Sequence, residues 1–126
     1  VRGRSLARYW GAVLEAPDAR ELADFYVRML GWTIEKDEPG WVAVSPPDGV
    51  AYIAFQSSPE YERPVWPPTK GEQQMMMHLD IEVDDLDEAV EDAVSMGAML
   101  ADTQPQDDVR VLLDPAGHPF CLYLGD

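Results

Sequence analysis

Cysteine is nearly absent from this chain, with Cys121 standing alone among 126 residues. No intrachain disulfide can form, and paired-cysteine zinc or redox motifs are excluded. A reducing cytoplasm is the expected location. Positive charge is also scarce, since 9 Lys and Arg face 24 Asp and Glu for a formal net charge of −15. That balance argues against recognition of a phosphate backbone, so no nucleic-acid partner is expected. The acidity reads first as solubility and second as attraction for a cationic ligand. No apolar run reaches membrane-spanning length, and the Arg-containing residues 1–8 are not followed by the apolar stretch of a signal peptide. Neither a membrane partner nor a secretory leader is expected. A G-x-S-x-G elbow, a phosphate-cradling glycine loop and a Cys–His nucleophile motif are all missing.

What is present is a degenerate internal repeat. Residues 9–31 are echoed by residues 76–97, with the leading aspartates, Asp18 and Asp85, 67 positions apart and the closing glycines, Gly31 and Gly97, 66 apart. In each copy an apolar-alternating strand runs into an aspartate with a glutamate three residues on, Glu21 or Glu88, the spacing of a helix N-cap. Apolar residues then recur with helical spacing at Leu22, Phe25, Tyr26, Met29 and Leu30, and at Leu86, Ala89, Val90, Ala93 and Val94. Gly31 and Gly97 stand where a left-handed residue would stop each helix. The outer face of the second helix is acidic, through Glu88, Glu91 and Asp92.

Three short strands are predicted after each helix, at 32–36, 41–44 and 50–56 and at 98–102, 109–113 and 119–124. Pro46 to Gly49 supply one hairpin turn, and Asp114, Pro115, Ala116 and Gly117 fit the four positions of a type I turn. Residues 57–72, with four prolines and Trp66, read as a crossover linker. The chain is therefore read as a single α+β domain over 1–126, built from two βαβββ modules at about 8–57 and 75–125 joined through 57–74. Half of such a chain offers little core by itself.

The segments FYVRMLGW, HLDIEVDD and DPAGHPFCLY, together with the repeated module, resemble the vicinal oxygen chelate superfamily over about residues 8–125. That superfamily holds glyoxalase I, extradiol dioxygenases, epimerases and bleomycin-resistance proteins, and the small glyoxalase-like proteins are the most similar group within it. The resemblance implies mixed curved sheets with helices on their outer faces. In the enzyme members it implies a divalent metal held by one His, Glu or Gln from the first and last strand of each module. Carried onto this chain, the first-strand positions are Gly11 and His78. The last-strand positions are Cys121 and either Ala54 or, in the other register, Ile53. Ala54 is favoured, because that register sends Ile53 and Phe55 under the helix and Tyr52, Ala54 and Gln56 to the opposite face. No metal cofactor is therefore assigned. His78 is the weak candidate ligand, with Cys121, Glu15, Asp80 and Gln56 as the only donors that could complete an improvised site.

The strand face opposite the helices carries the expected ligand pocket. Its residues are Tyr9, Gly11 and Val13 on the first strand, Tyr52, Ala54 and Gln56 on the fourth, His78 and Asp80 on the fifth, and Cys121 and Tyr123 on the last, with Arg110 entering from the seventh. Gly11 is expected to form a small floor. Met77, Leu79, Ile81 and Val83 are assigned to the core, with at least one of Met75, Met76 and Met77 buried there. His118 is given no chemistry. Bleomycin-resistance proteins resemble this arrangement, being metal-free members that hold a drug in a cleft between modules. Three functions follow: a homodimeric protein binding a small organic molecule in a cleft between modules, a metal-dependent lyase, isomerase or dioxygenase with a non-standard ligand set, or a protein-interaction module.

Overall fold

A computed structural model describes residues 1–126. The chain divides into two compact units, Val1–Tyr61 and Glu62–Asp126.

In the first unit β1 (Trp10–Ala16) leads into α1 (Ala19–Leu30), followed by β2 (Thr33–Glu38), β3 (Trp41–Ser45) and β4 (Ala51–Ser57). The sheet order is β1-β4-β3-β2, with β1 parallel to β4 and the other neighbours antiparallel. α1 starts where the sequence places it, because the Asp18 carboxylate accepts the N–H groups of Arg20 and Glu21. It stops at Gly31, whose φ of 68° is left-handed and whose N–H reaches the Val27 carbonyl. Leu22, Ala23, Phe25 and Tyr26 are buried on one face of α1. The Tyr26 ring lies stacked 5.4 Å from that of Phe55, so the helix rests on the β4 face that also carries Ile53. Burying each such aromatic side chain contributes about 1.5–3 kcal/mol.

The second unit repeats the plan. β5 (Leu79–Val83), α2 (Leu86–Ser95), β6 (Met99–Leu100), β7 (Val109–Leu113) and β8 (Pro119–Leu124) give the sheet order β5-β8-β7-β6. Asp85 caps α2 by accepting the Glu88 N–H at 2.9 Å. Leu86 and Ala93 are buried, as are Leu112, Phe120 and Leu122. Val94, expected on the buried stripe, is 45% exposed, since this short helix sets only part of its apolar arc against the sheet. At the β7–β8 turn the buried Asp114 carboxylate accepts the N–H groups of Ala116 and His118, each at 2.9 Å, and the Asp114 carbonyl accepts the Gly117 N–H at 2.8 Å.

Three expectations need correction. The sixth strand is only two residues long, and both of them are exposed. Past it the Ala101 N–H still reaches the Val111 carbonyl at 3.1 Å, and Gln104 takes up the rest, its amide donating to the Ala101 and Val111 carbonyls and accepting the Val111 N–H. The fifth strand begins at Leu79 rather than near 76, and Met76 and Met77 before it are 81% and 76% exposed. Met75 is half-buried, so no methionine of this run belongs to the core, and Leu79, Ile81 and Val83 are themselves half-buried. The segment read as a linker belongs to the first unit up to Tyr61 and from Glu62 onward is folded onto the second. The Val65 N–H meets the Gln73 carbonyl, Trp66 Nε1 donates to the Thr103 carbonyl, and Arg63 donates to that of Pro115. The Trp66–Pro67 peptide is cis. No helix is long and apolar enough to cross a membrane.

Candidate functional site

Strand alternation assembles the site on the sheet face away from each helix. In the first unit the parallel register sets Gly11 beside Tyr52, Val13 beside Ala54 and Glu15 beside Gln56, while Ile53 pairs with Ala12 and so belongs to the other face. Tyr9 precedes β1 and is 70% exposed. Gly11 is not an open floor, because the Tyr52 ring lies directly on it. A Cβ built at position 11 would sit 2.4 Å from Tyr52 Cε2. Ala54 is fully buried. Neither position carries a side-chain donor, so the four-ligand set implied by the resemblance is not formed.

The second unit holds the chemistry. β5 and β8 run parallel, with Asp80 directly opposite Cys121 and Glu82 opposite Tyr123. His78 lies two residues before Asp80, and its Nε2 is 3.1 Å from Asp80 Oδ1. The ligand atoms of His78, Asp80 and Cys121 all lie within 4.8 Å of one another. They open into a cleft of about 310 Å³ that is also lined by Gln106, Asp108, Val109, Tyr123 and Leu124.

Asp80 is the hub of this cluster. Burial pushes the Cys121 thiol up to about 11, and the Asp80 charge and a hydrogen bond to its carboxylate push in the same direction. The thiol is thus held protonated at neutral pH and donates to Asp80. His78 meets the same carboxylate, so the imidazole is engaged with the acid and not arranged as the base of a thiol nucleophile. What the arrangement offers is a convergent set of nitrogen, oxygen and sulfur atoms beside a phenol and two aliphatic side chains.

Arg110 does not join them. It pairs with Leu122, one residue out of phase with Cys121 and Tyr123, and therefore faces the other side of the sheet. Its guanidinium is held by the carbonyls of Gln106, Asp107 and Val109. The cleft residues that sequence reasoning missed are Gln106, Asp108, Val109 and Leu124. Val109 could have been found by counting outward in twos from the Asp114 turn, which pairs Val111 with Cys121 and Val109 with Tyr123. A larger depression of about 640 Å³ runs beside α2 under Asp84, Asp85, Glu88, Glu91 and Asp92. It presents carboxylates without converging donors, so the smaller cleft is the candidate site.

Two βαβββ units give the glyoxalase and bleomycin-resistance fold, and the family match places the chain within the vicinal oxygen chelate superfamily. The glyoxalase-like domain model matches residues 11–123, and the chain belongs to that family. Among solved structures it is similar to a glyoxalase/bleomycin resistance protein/dioxygenase family enzyme from Burkholderia phytofirmans PsJN. The two share 21% identity and a TM-score of 0.67, with 94% of this chain and 97% of that one covered. A glyoxalase family protein from Enterococcus faecalis is 15% identical at a TM-score of 0.61, covering 97% and 98% of the two chains. TnmS3, an antibiotic binding protein from Streptomyces sp. CB03234, is 18% identical at 0.55, covering 97% and 100%. Compared by sequence with curated proteins, the chain finds no match.

Proposed function

We propose that this chain captures a small organic molecule in the cleft of its second unit. The observation that carries the reading is the company Asp80 keeps. It meets both His78 and Cys121, leaving a mixed polar and apolar cleft with no activated nucleophile. Sites for small molecules are commonly built this way, from an apolar wall and a few converging polar groups, and the cleft falls at the lower end of their usual volumes. Tyr123, Val109 and Leu124 supply the wall, while His78, Asp80 and Gln106 supply polar contacts. The likeness to an antibiotic binding protein supports a fold compatible with this role.

Solvent extraction of the purified chain with mass spectrometry, followed by a thermal-shift screen of aromatic and polar small molecules, tests the reading. A hit should lose most of its shift in Tyr123→Ala and keep it in Glu91→Gln, which lies on the separate acidic depression. A hit of unchanged affinity in Tyr123→Ala would remove the cleft as its site.

A further inference from the structure

Residues 103–108 belong to no helix or strand. They nonetheless supply Gln106 and Asp108 to the cleft, and Val109, the first residue of β7, continues the same wall. An exposed segment without ladder bonds is ordinarily mobile. Here its carbonyl groups are gathered up. Arg110 Nη1 donates to the Gln106, Asp107 and Val109 carbonyls at 3.3, 2.9 and 2.9 Å. The Asp108 carbonyl, which lies between them in sequence, accepts the Leu124 N–H at 3.4 Å. Four successive carbonyls are engaged, and a single nitrogen serves three of them. From this geometry we infer that Arg110 is a positioning residue, holding residues 106–109 so that Gln106, Asp108 and Val109 form a fixed wall of the cleft.

The choice of side chain follows from the task. A guanidinium is planar, keeps its charge at every ordinary pH and presents its donors in fixed directions, so its bonds to carbonyls are charge-assisted and oriented. Arg110 sits opposite Leu122, on the other side of the sheet from Cys121 and Tyr123, and it is not part of the cleft lining. It therefore acts on the wall through the main chain alone. The other end of the segment is pinned as well. Trp66 Nε1 holds the Thr103 carbonyl at 3.1 Å, and the Gln104 amide is bonded to Ala101 and to both backbone groups of Val111. A wall ordered in advance spares an occupant the entropy cost of ordering it. That consequence rests on the proposed capture of a small molecule, whereas the clamp itself does not.

Backbone ¹⁵N relaxation of the full chain tests the inference without a ligand. Order parameters at residues 106–108 should stand near about 0.85 in the wild type and fall below about 0.6 in Arg110→Met, which keeps the aliphatic stem and removes every donor. Arg110→Lys should give intermediate values, since an ammonium still donates to carbonyl oxygen. Values in β3 and β4 should not change. Iodoacetamide at pH 8 should also alkylate Cys121 severalfold faster in Arg110→Met than in the wild type, because the thiol shares the cleft with that wall.

Low order parameters at 106–108 in the wild type, or equal values in the wild type and Arg110→Met, would overturn the clamp. A fall spread across β7 and β8 would do the same, because it would mark a general loosening of the sheet. Equal alkylation rates would show that the segment does not wall the thiol, and would overturn the positioning role. Should Arg110→Met fail to fold, the wild type and Arg110→Lys still decide. A chain that captures no small molecule on extraction or in the thermal-shift screen leaves each of these readings as it is.

Discussion

The Tyr52 ring covers Gly11 so closely that three of its carbon atoms, Cε2, Cδ2 and Cζ, lie 2.4–2.6 Å from where a Cβ would stand. Any side chain at position 11 must displace that ring. Gly11→Ala should therefore destabilise the fold by about 1–3 kcal/mol, the usual cost of overpacking. In the Tyr52→Ala background the same substitution should cost much less. Urea unfolding of the four proteins in this double-mutant cycle measures the coupling, and additive effects would show that the ring moves away freely.

Asp114 makes a different kind of demand. It is 2% exposed and holds two backbone N–H groups at 2.9 Å. Asp114→Ala leaves both donors without that acceptor inside the β7–β8 turn, and should cost about 2–4 kcal/mol. Asp114→Asn retains an acceptor oxygen and should recover part of the loss. Chemical denaturation reads both, and equal midpoints for the wild type and Asp114→Ala would mean that the turn holds without its carboxylate.

The Cys121 thiol carries a pH signature. Its pKa is raised from 9.0 to about 11 in the folded chain. Because the unfolded thiol ionises first, folding is favoured fully below about pH 9, and that contribution is lost as the pH rises toward 11. Over this window the thermal midpoint of the chelator-treated protein should fall more steeply than that of Cys121→Ala. At pH 8 a thiol reagent should react with the folded chain about 100-fold more slowly than with a free cysteine, in line with the lower thiolate fraction. Asp80→Asn should recover part of that rate, since it removes the charge and leaves the burial. Equal rates for folded chain and free cysteine would show the thiol to be unperturbed.

The sequence carries the fold far better than it carries the site, and particular residues show why. Asp18, Gly31 and Asp85 act on backbone groups no more than four residues away, so their roles are written locally. The type I turn at Asp114–Gly117 is local in the same sense. Asp80 and Cys121 are 41 positions apart, and nothing in the spacing of either segment states that a parallel register will put one opposite the other. His78 and Cys121 stand out through the family resemblance and Asp80 through its parity with His78, but that one carboxylate meets both is legible only in the structure. Arg110 leaves the expected pocket through parity. A strand inverts its faces with every residue, and Arg110 shares its side with Leu122 instead of Cys121. Met76 and Met77 stay exposed because alternation has meaning only inside a strand, and β5 begins at Leu79.

Internal repetition gives the chain two equivalent faces, yet the donor cluster draws on one of them. Gly11 and Ala54 answer to steric fit alone, one beneath an aromatic ring and the other wholly enclosed. Positions 78, 80 and 121 answer to protons and electron pairs. A duplicated scaffold can in this way divide its labour, with one copy free to become pure framework while its twin keeps the reactive atoms.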